Sequence, residues 1–338
     1  MKIDLRSDTF TCPTPAMLEA MFKAKVGDDV FGEDEAINEL EMQTAQYFGM
    51  EAGIFCPSGT MANQIAIKCH TQPGQEVICH KQSHVYIYEG GGIAFHSGCQ
   101  VRALDGDQGK IKASSIAENI NHPDIHKPPT TLVSLENTSN RGGGACYTLE
   151  ELEPIAQLCR SENLSLHLDG ARIWNALVAT GQNPTIVGEL FHSISVCYSK
   201  GMGAPVGSVL LGSCSFIQKA RRYRKLMGGG MRQAGYLAAA CTYALHNHLE
   251  KLKTDHHHAN QIADALLKTD YVHSVIPVQT NIIIFEVTGR YSAAMLSDYF
   301  KENGVLCIAI SDKQIRMVTH LDVSSEMINK VIQLIGQA

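Results

Sequence analysis

Three short runs carry residue types and spacings suited to chemistry on one small ligand. Pro57-Ser58-Gly59-Thr60 follows an apolar run at 53–56 and opens a stretch continuing through Asn63, Ile65 and Ile67. A Ser-Gly-Thr turn at a helix start offers unspent backbone N–H groups, two hydroxyls and the positive end of a dipole, a setting for phosphate. The same residue types also serve as plain helix caps. Asp169-Gly170-Ala171-Arg172 follows the largely apolar run 164–168, interrupted by Ser165 and His167. A carboxylate at the end of such a strand is partly desolvated and needs a partner, and Arg172 is one structural candidate. Ser199-Lys200-Gly201-Met202-Gly203 follows the run 193–198. Desolvation lowers the pKa of an amine, as a Schiff-base-forming lysine requires, although a lysine at a strand end often just reaches solvent.

One ligand uses all three in that order. Pyridoxal 5′-phosphate (PLP) has a phosphate, a ring nitrogen kept protonated by an acid, and an aldehyde that condenses with a lysine. A nicotinamide site needs no such lysine, and no Gly-x-Gly-x-x-Gly opens the first helix of the pattern.

The elements that must position these groups alternate short apolar runs with amphipathic stretches, the pattern of parallel strands joined by crossover helices. Strands are expected at 53–56, 76–79, 131–135, 164–168, 193–198 and 206–211, with helices at 35–48 and from Thr148, whose capping box closes on Glu151, to about 162. Beyond about residue 245 the texture becomes that of a smaller α+β unit: helix 258–268, strand 281–287, helix 292–303, strand 314–318 and helix 325–336. The expected organisation is an N-terminal segment, 1–30, wrapping over the site, a large cofactor-binding domain, 31–245, and a small C-terminal domain, 246–338.

Composition narrows the classes. Among 338 residues, 18% are charged, against about 25% in ordinary domains, and 29 are glycine. So little charge is expected of a subunit that buries surface against copies of itself. The formal charge of −6 provides no field for a nucleic-acid backbone. No apolar run reaches a membrane span, and the N-terminus has no apolar core of an export signal. Eleven cysteines without a Cys-x-x-Cys pair read as buried thiols in a reducing compartment, by default the cytoplasm. His256-His257-His258 reads as a solvated helix start, because adjacent helical positions do not converge on one metal ion. Arg221-Arg222-Tyr223-Arg224-Lys225 reads as a subunit interface or support for the cofactor phosphate.

The chain closely resembles the threonine aldolases, fold-type-I PLP enzymes that cleave β-hydroxy-α-amino acids to glycine and an aldehyde. The resemblance runs nearly end to end. It includes Asp4-Leu5-Arg6-Ser7-Asp8-Thr9, Gly27-Asp28-Asp29-Val30-Phe31-Gly32-Glu33-Asp34, Pro57 to Gln64, Glu136-Asn137-Thr138 and His167 to Arg172. Ser199-Lys200-Gly201, Gly228 to Gln233, Gln279-Thr280-Asn281 and Val318 to Asp322 complete it. The resemblance implies an α/β fold with a mostly parallel sheet and a smaller α+β domain. Lys200 would carry PLP as a Schiff base, Asp169 would face its ring nitrogen, and Ser58, Gly59 and Thr60 would hold its phosphate. His84 would stack on the ring, and Arg172 would lie near the phenolic oxygen and the substrate carboxylate. Ser7 and Arg316 match carboxylate-binding positions, and Tyr88 an aromatic position near the site. Arg232 would reach a phosphate in a partner subunit. The proton acceptor is His84, or a water held by His84 and His126, with a solvated loop as the alternative for His126. Phe31 stands where the family often has tyrosine. A homotetramer, a dimer of dimers with shared active sites, is implied, acting on an amino acid and not on nucleic acid or membrane. The competing readings are a β-eliminating PLP lyase and a non-catalytic PLP-holding protein.

Overall fold

The computed structural model describes residues 2–338 and contains thirteen strands in those residues. In chain order they are β1 (Ile3–Asp4), β2 (Ala52–Cys56), β3 (Glu76–His80), β4 (Gln100–Leu104), β5 (Thr130–Glu136), β6 (Ser165–Gly170), β7 (Ser193–Cys197), β8 (Ser208–Gly212), β9 (Val272–Val275), β10 (Ile282–Val287), β11 (Val305–Leu306), β12 (Ile308–Ala309) and β13 (Gln314–Val318). Seven form one sheet in the order β2-β8-β7-β6-β5-β3-β4. Its members run parallel except β8, which is antiparallel to both neighbours. Strands β3, β7 and β8 are buried along their whole length, as strands covered by helices on both faces should be. The small sheet, β12-β13-β10-β9, is antiparallel.

Two large apolar clusters follow this division. One gathers the sheet with Trp174, Phe48, Tyr147 and the helix Gly235–Asn247. The other joins helices Leu252–Leu266, Ala293–Glu302 and Ser325–Gln337 to β10 and β13. Ile3 and Leu5 belong to the second cluster, because β1 pairs in parallel with β11. The N-terminal segment therefore starts inside the small unit before crossing to the large one. It reaches the helix Pro15–Phe22, which packs on Gly235–Asn247.

One sequence expectation needs correction. His256 and His258 are buried inside the helix that begins at Leu252, not at a solvated start; they bond Asn175 (3.1 Å) and the Ser325 hydroxyl (3.1 Å). The helix starts earlier because Leu252 and Asp255 share the inward face with His256 and His258. Arg221 and Arg224 of the basic run pair internally with Glu41 and Asp29, and Arg224 also donates to the Phe55 carbonyl at 2.8 Å. Eight of the eleven cysteines are buried, and all are free thiols. Among the described residues no helix is long and apolar enough to cross a membrane.

Candidate active site

The carboxyl ends of the parallel strands gather the site residues at one end of the sheet, where open α/β sheets bind ligands. Ser58 caps the helix Gly59–His70, its hydroxyl accepting from the Met61 N–H at 3.1 Å. Ala62 donates to the Ser58 carbonyl at 3.1 Å. The N–H groups of Gly59 and Thr60 belong to the first turn, whose donors have no partner inside the helix. A Cβ on Gly59 would lie 3.5 Å from the Ser208 hydroxyl, which is itself buried without a partner. These unspent donors fit a phosphate.

Asp169 pairs in register with Glu136 of β5 and Ser195 of β7. One of its carboxylate oxygens accepts from the Ala171 N–H at 3.0 Å; the other, Oδ2, is buried with no protein partner. Leaving a buried carboxylate oxygen bare costs about 1–3 kcal/mol or more, so a ligand that donates there is favoured. A protonated ring nitrogen fits. Lys200, after β7, is half-buried, with its Nζ 3.6 Å from the Cys197 sulfur. Ser58, Asp169 and Lys200 thus each stand at the carboxyl end of a strand of the large sheet.

His84 opens the short helix His84–Ile87 that follows β3. Its ring Nδ1 is 2.9 Å from Glu89 Oε1, and ligand-type atoms of His84, Glu89 and Asp169 all lie within 4.8 Å of one another. Glu89 was not anticipated from the sequence, since nothing in the His84-to-Glu89 spacing marks a pair. Its side chain is shut off from solvent and also accepts from Asn63 (3.0 Å) and Gln64 (2.6 Å). A carboxylate only accepts, so His84 donates from Nδ1 and keeps its Nε2 lone pair free. Partial burial works against a charged His84, but the Glu89 hydrogen bond, Asp169 and Glu136 prevail and raise its pKa.

Two further carboxylates were unassigned. Asp8 holds Arg172 bidentately (2.7 and 2.6 Å), both groups fully buried. Burial would raise the Asp8 pKa, yet Arg172 overrides it and holds the carboxyl well below its usual range. Arg172 is thus committed along one edge. Glu136 accepts from the backbone N–H groups of His84 (2.6 Å) and Asn140 (2.8 Å). Burial first, then Asp169, push its pKa up to about 7. Asn140 in turn accepts from Arg316 at 2.9 Å. Arg316 is buried with its Nε unpartnered, and burial with Arg172 nearby lowers its pKa to about 10. Ser7 stands at the start of the Asp8–Phe10 turn, its hydroxyl accepting from Thr9. Tyr88 is exposed, with its ring 5.1 Å from the Arg141 guanidinium and 5.8 Å from the His84 ring.

Two residues are not brought in by this chain. His126 lies in the exposed loop before β5, at the opposite end of the sheet, and bonds only Asp124 at 2.9 Å. Arg232 points to solvent beside Asp28.

A seven-stranded sheet with one reversed strand, a paired small domain and an acid–lysine–phosphate constellation define the class: residues 4–289 match the family model described as beta-eliminating lyase, and the chain belongs to that family. The relatives are narrower. The chain is 43% identical over 330 residues to the low specificity L-threonine aldolase of Escherichia coli strain K12, covering 97% of each. It is 39% identical over 343 residues to low-specificity L-threonine aldolase 1 of Arabidopsis thaliana, covering 99% of this chain and 96% of that protein. The solved threonine aldolase of Leishmania major superimposes with a TM-score of 0.86 at 19% identity over 99% of both chains. Sphingomonas wittichii serine palmitoyltransferase does so with a TM-score of 0.76 at 15% identity, over 99% of this chain and 86% of that one. These two share the fold.

Proposed function

We propose that the chain cleaves L-threonine, L-allo-threonine and related β-hydroxy-α-amino acids to glycine and an aldehyde, with PLP as cofactor. The observation that carries this reading is the bare, buried Asp169 oxygen, set between the His84 loop and the strand leading to Lys200. Lys200 would hold PLP covalently, Asp169 would keep its ring nitrogen protonated, and the Gly59 and Thr60 N–H groups with the Ser58 and Thr60 hydroxyls would hold its phosphate. When bound, PLP supplies an electron sink for the pair released on breaking the Cα–Cβ bond.

The protein's own groups do the rest. Arg316 and Ser7 take the substrate carboxylate, with a planar guanidinium suited to two parallel hydrogen bonds. This clamp turns the scissile bond to the orientation that cleaves. His84 Nε2 accepts the β-hydroxyl proton as the aldehyde carbonyl forms, and glycine results when Cα regains a proton. Within one chain His126 is at the far end of the sheet, so the acceptor assigned here is His84. Tyr88 borders the substrate side. Arg232 faces outward, which suits a contact with a phosphate held by a second copy. We also propose a homotetramer with shared sites, on the exposed Phe22, Phe31, Phe95 and Leu226, and a cytoplasmic protein, on its eleven free thiols.

Glycine and acetaldehyde release from each threonine diastereomer tests the activity; keto acid and ammonia in their place would favour β-elimination. Lys200→Ala should abolish both turnover and the near-visible absorbance of bound PLP, and normal turnover in that variant would sink the scheme.

A further inference from the structure

Behind Glu89 a line of buried polar groups runs under the sheet, away from the site. Asn63, on the first turns of the helix Gly59–His70, turns its amide nitrogen to Glu89 at 3.0 Å. The amide oxygen Oδ1 faces the Ser195 hydroxyl (2.6 Å) and His167 Nε2 (3.2 Å). His167 Nδ1 lies 2.8 Å from the Ser193 hydroxyl, its neighbour across β6 and β7, and that hydroxyl lies 2.8 Å from His70 Nε2 at the helix's last residue. Asn63, His167, Ser193 and Ser195 are all buried. From Asn63 to His70 the line follows the helix for about 10 Å.

Every bond in it has a forced direction. Glu89 can only accept, so Asn63 must present its NH2. The Asn63 oxygen can only accept, so Ser195 and His167 Nε2 must donate. His167 Nδ1 is then bare and takes the Ser193 hydroxyl proton. Ser193, its one proton spent, accepts from His70 Nε2–H. We infer that this one-way chain, by keeping the Asn63 amide nitrogen turned to Glu89, holds that carboxylate in place against His84, and that Asn63 and His167 are positioning residues for the proposed cleavage. The inference rests on the reading of His84 as proton acceptor.

A neutral His167 is required, since a second ring proton would meet the Ser193 hydroxyl that now donates to it. Burial provides this, lowering the pKa of His167 to about 4 and that of His70 to about 3. With both neutral, neither ring of the chain carries a charge toward Glu89; beyond His70 stand His192 and Lys219. The groups facing His84 are Glu89 from its own loop, Glu136 from β5 and Asp169 from β6.

Histidine ring 15N shifts read the tautomers directly, with or without cofactor. At neutral pH the expected result is His84 protonated on Nδ1 and His167 on Nε2; a His167 protonated on Nδ1, or on both nitrogens, overturns the chain. A pair of double variants tests its effect. Ser195→Ala with His167→Asn removes both donors to the Asn63 oxygen, freeing that amide to rotate. Ser195→Ala with His167→Gln restores one donor at the Nε2 position. The His84 titration midpoint should fall by about one pH unit in the first and recover toward wild type in the second. Equal midpoints in the two variants would reject the positioning role. Glycine release from L-threonine by the wild type, measured alongside, judges the functional reading separately.

Discussion

In the proposed cleavage Glu89 acts on the substrate only through His84, and its contacts set what that histidine can do. Three donors converge on a carboxylate shut off from solvent, and one of them is the His84 ring. Glu89→Gln puts an NH2 where a donor must be received and removes the charge that favours protonated His84. A base works above its pKa, so the acid limb of log kcat/KM against pH should move to lower pH by about one unit, while the plateau falls about 10- to 100-fold because the base is weaker. An unmoved acid limb would remove Glu89 from the proton-handling machinery. The sign for stability is the reverse. With the folded pKa of His84 raised above its ordinary 6.5, the contribution is fully present below that value and is lost as pH rises through the raised one. The variant should lose that part of the pH dependence of its melting temperature.

Elements set how closely these residues can meet, and Gly170 is the tightest such point beside Asp169. A Cβ there would run into the Ser195 backbone carbonyl and stand 3.2 Å from the Ile173 side chain. Gly170→Ala should therefore push β6 from β7, lower stability by about 1–3 kcal/mol and loosen PLP through Asp169. Thermal melting and an absorbance titration with PLP check this; unchanged melting and affinity would refute it. The buried strands were legible as apolar runs: β2, β3, β5, β6, β7 and β8 all lie within two residues of their expected positions. Edge strand β4, Gln-Val-Arg-Ala-Leu, was not, because it is half exposed and has no apolar run. Lys200, Asp169 and the Ser58 cap were legible for the same reason: each follows a strand that announces itself. Asp8, Glu89 and Glu136 were not, because their roles depend on partners 164, 5 and 52 positions away, distances that leave no periodic trace.

At the scale of the whole molecule, the low charge content and the exposed apolar side chains are one observation. Phe31 and Leu226 are 76% and 74% exposed. They flank one junction, where Asp29 receives Arg224 and donates its N–H to the Arg232 carbonyl at 2.9 Å. Arg232 projects to solvent from the same place. Large apolar side chains beside an outward guanidinium, on a chain with 18% charge, are the features on which the proposed assembly rests. The 36.9 kDa chain should therefore sediment as a multiple of its own mass, four-fold if the tetramer is right. Phe31→Glu combined with Leu226→Glu would set like charges against each other across such an interface. The variant should sediment as a smaller species, with glycine release falling in step if Arg232 serves its neighbour's phosphate. Arg232→Ala should weaken PLP binding while leaving the sedimenting mass unchanged. A wild type that sediments as a monomer and turns over normally would refute both the assembly and the shared site.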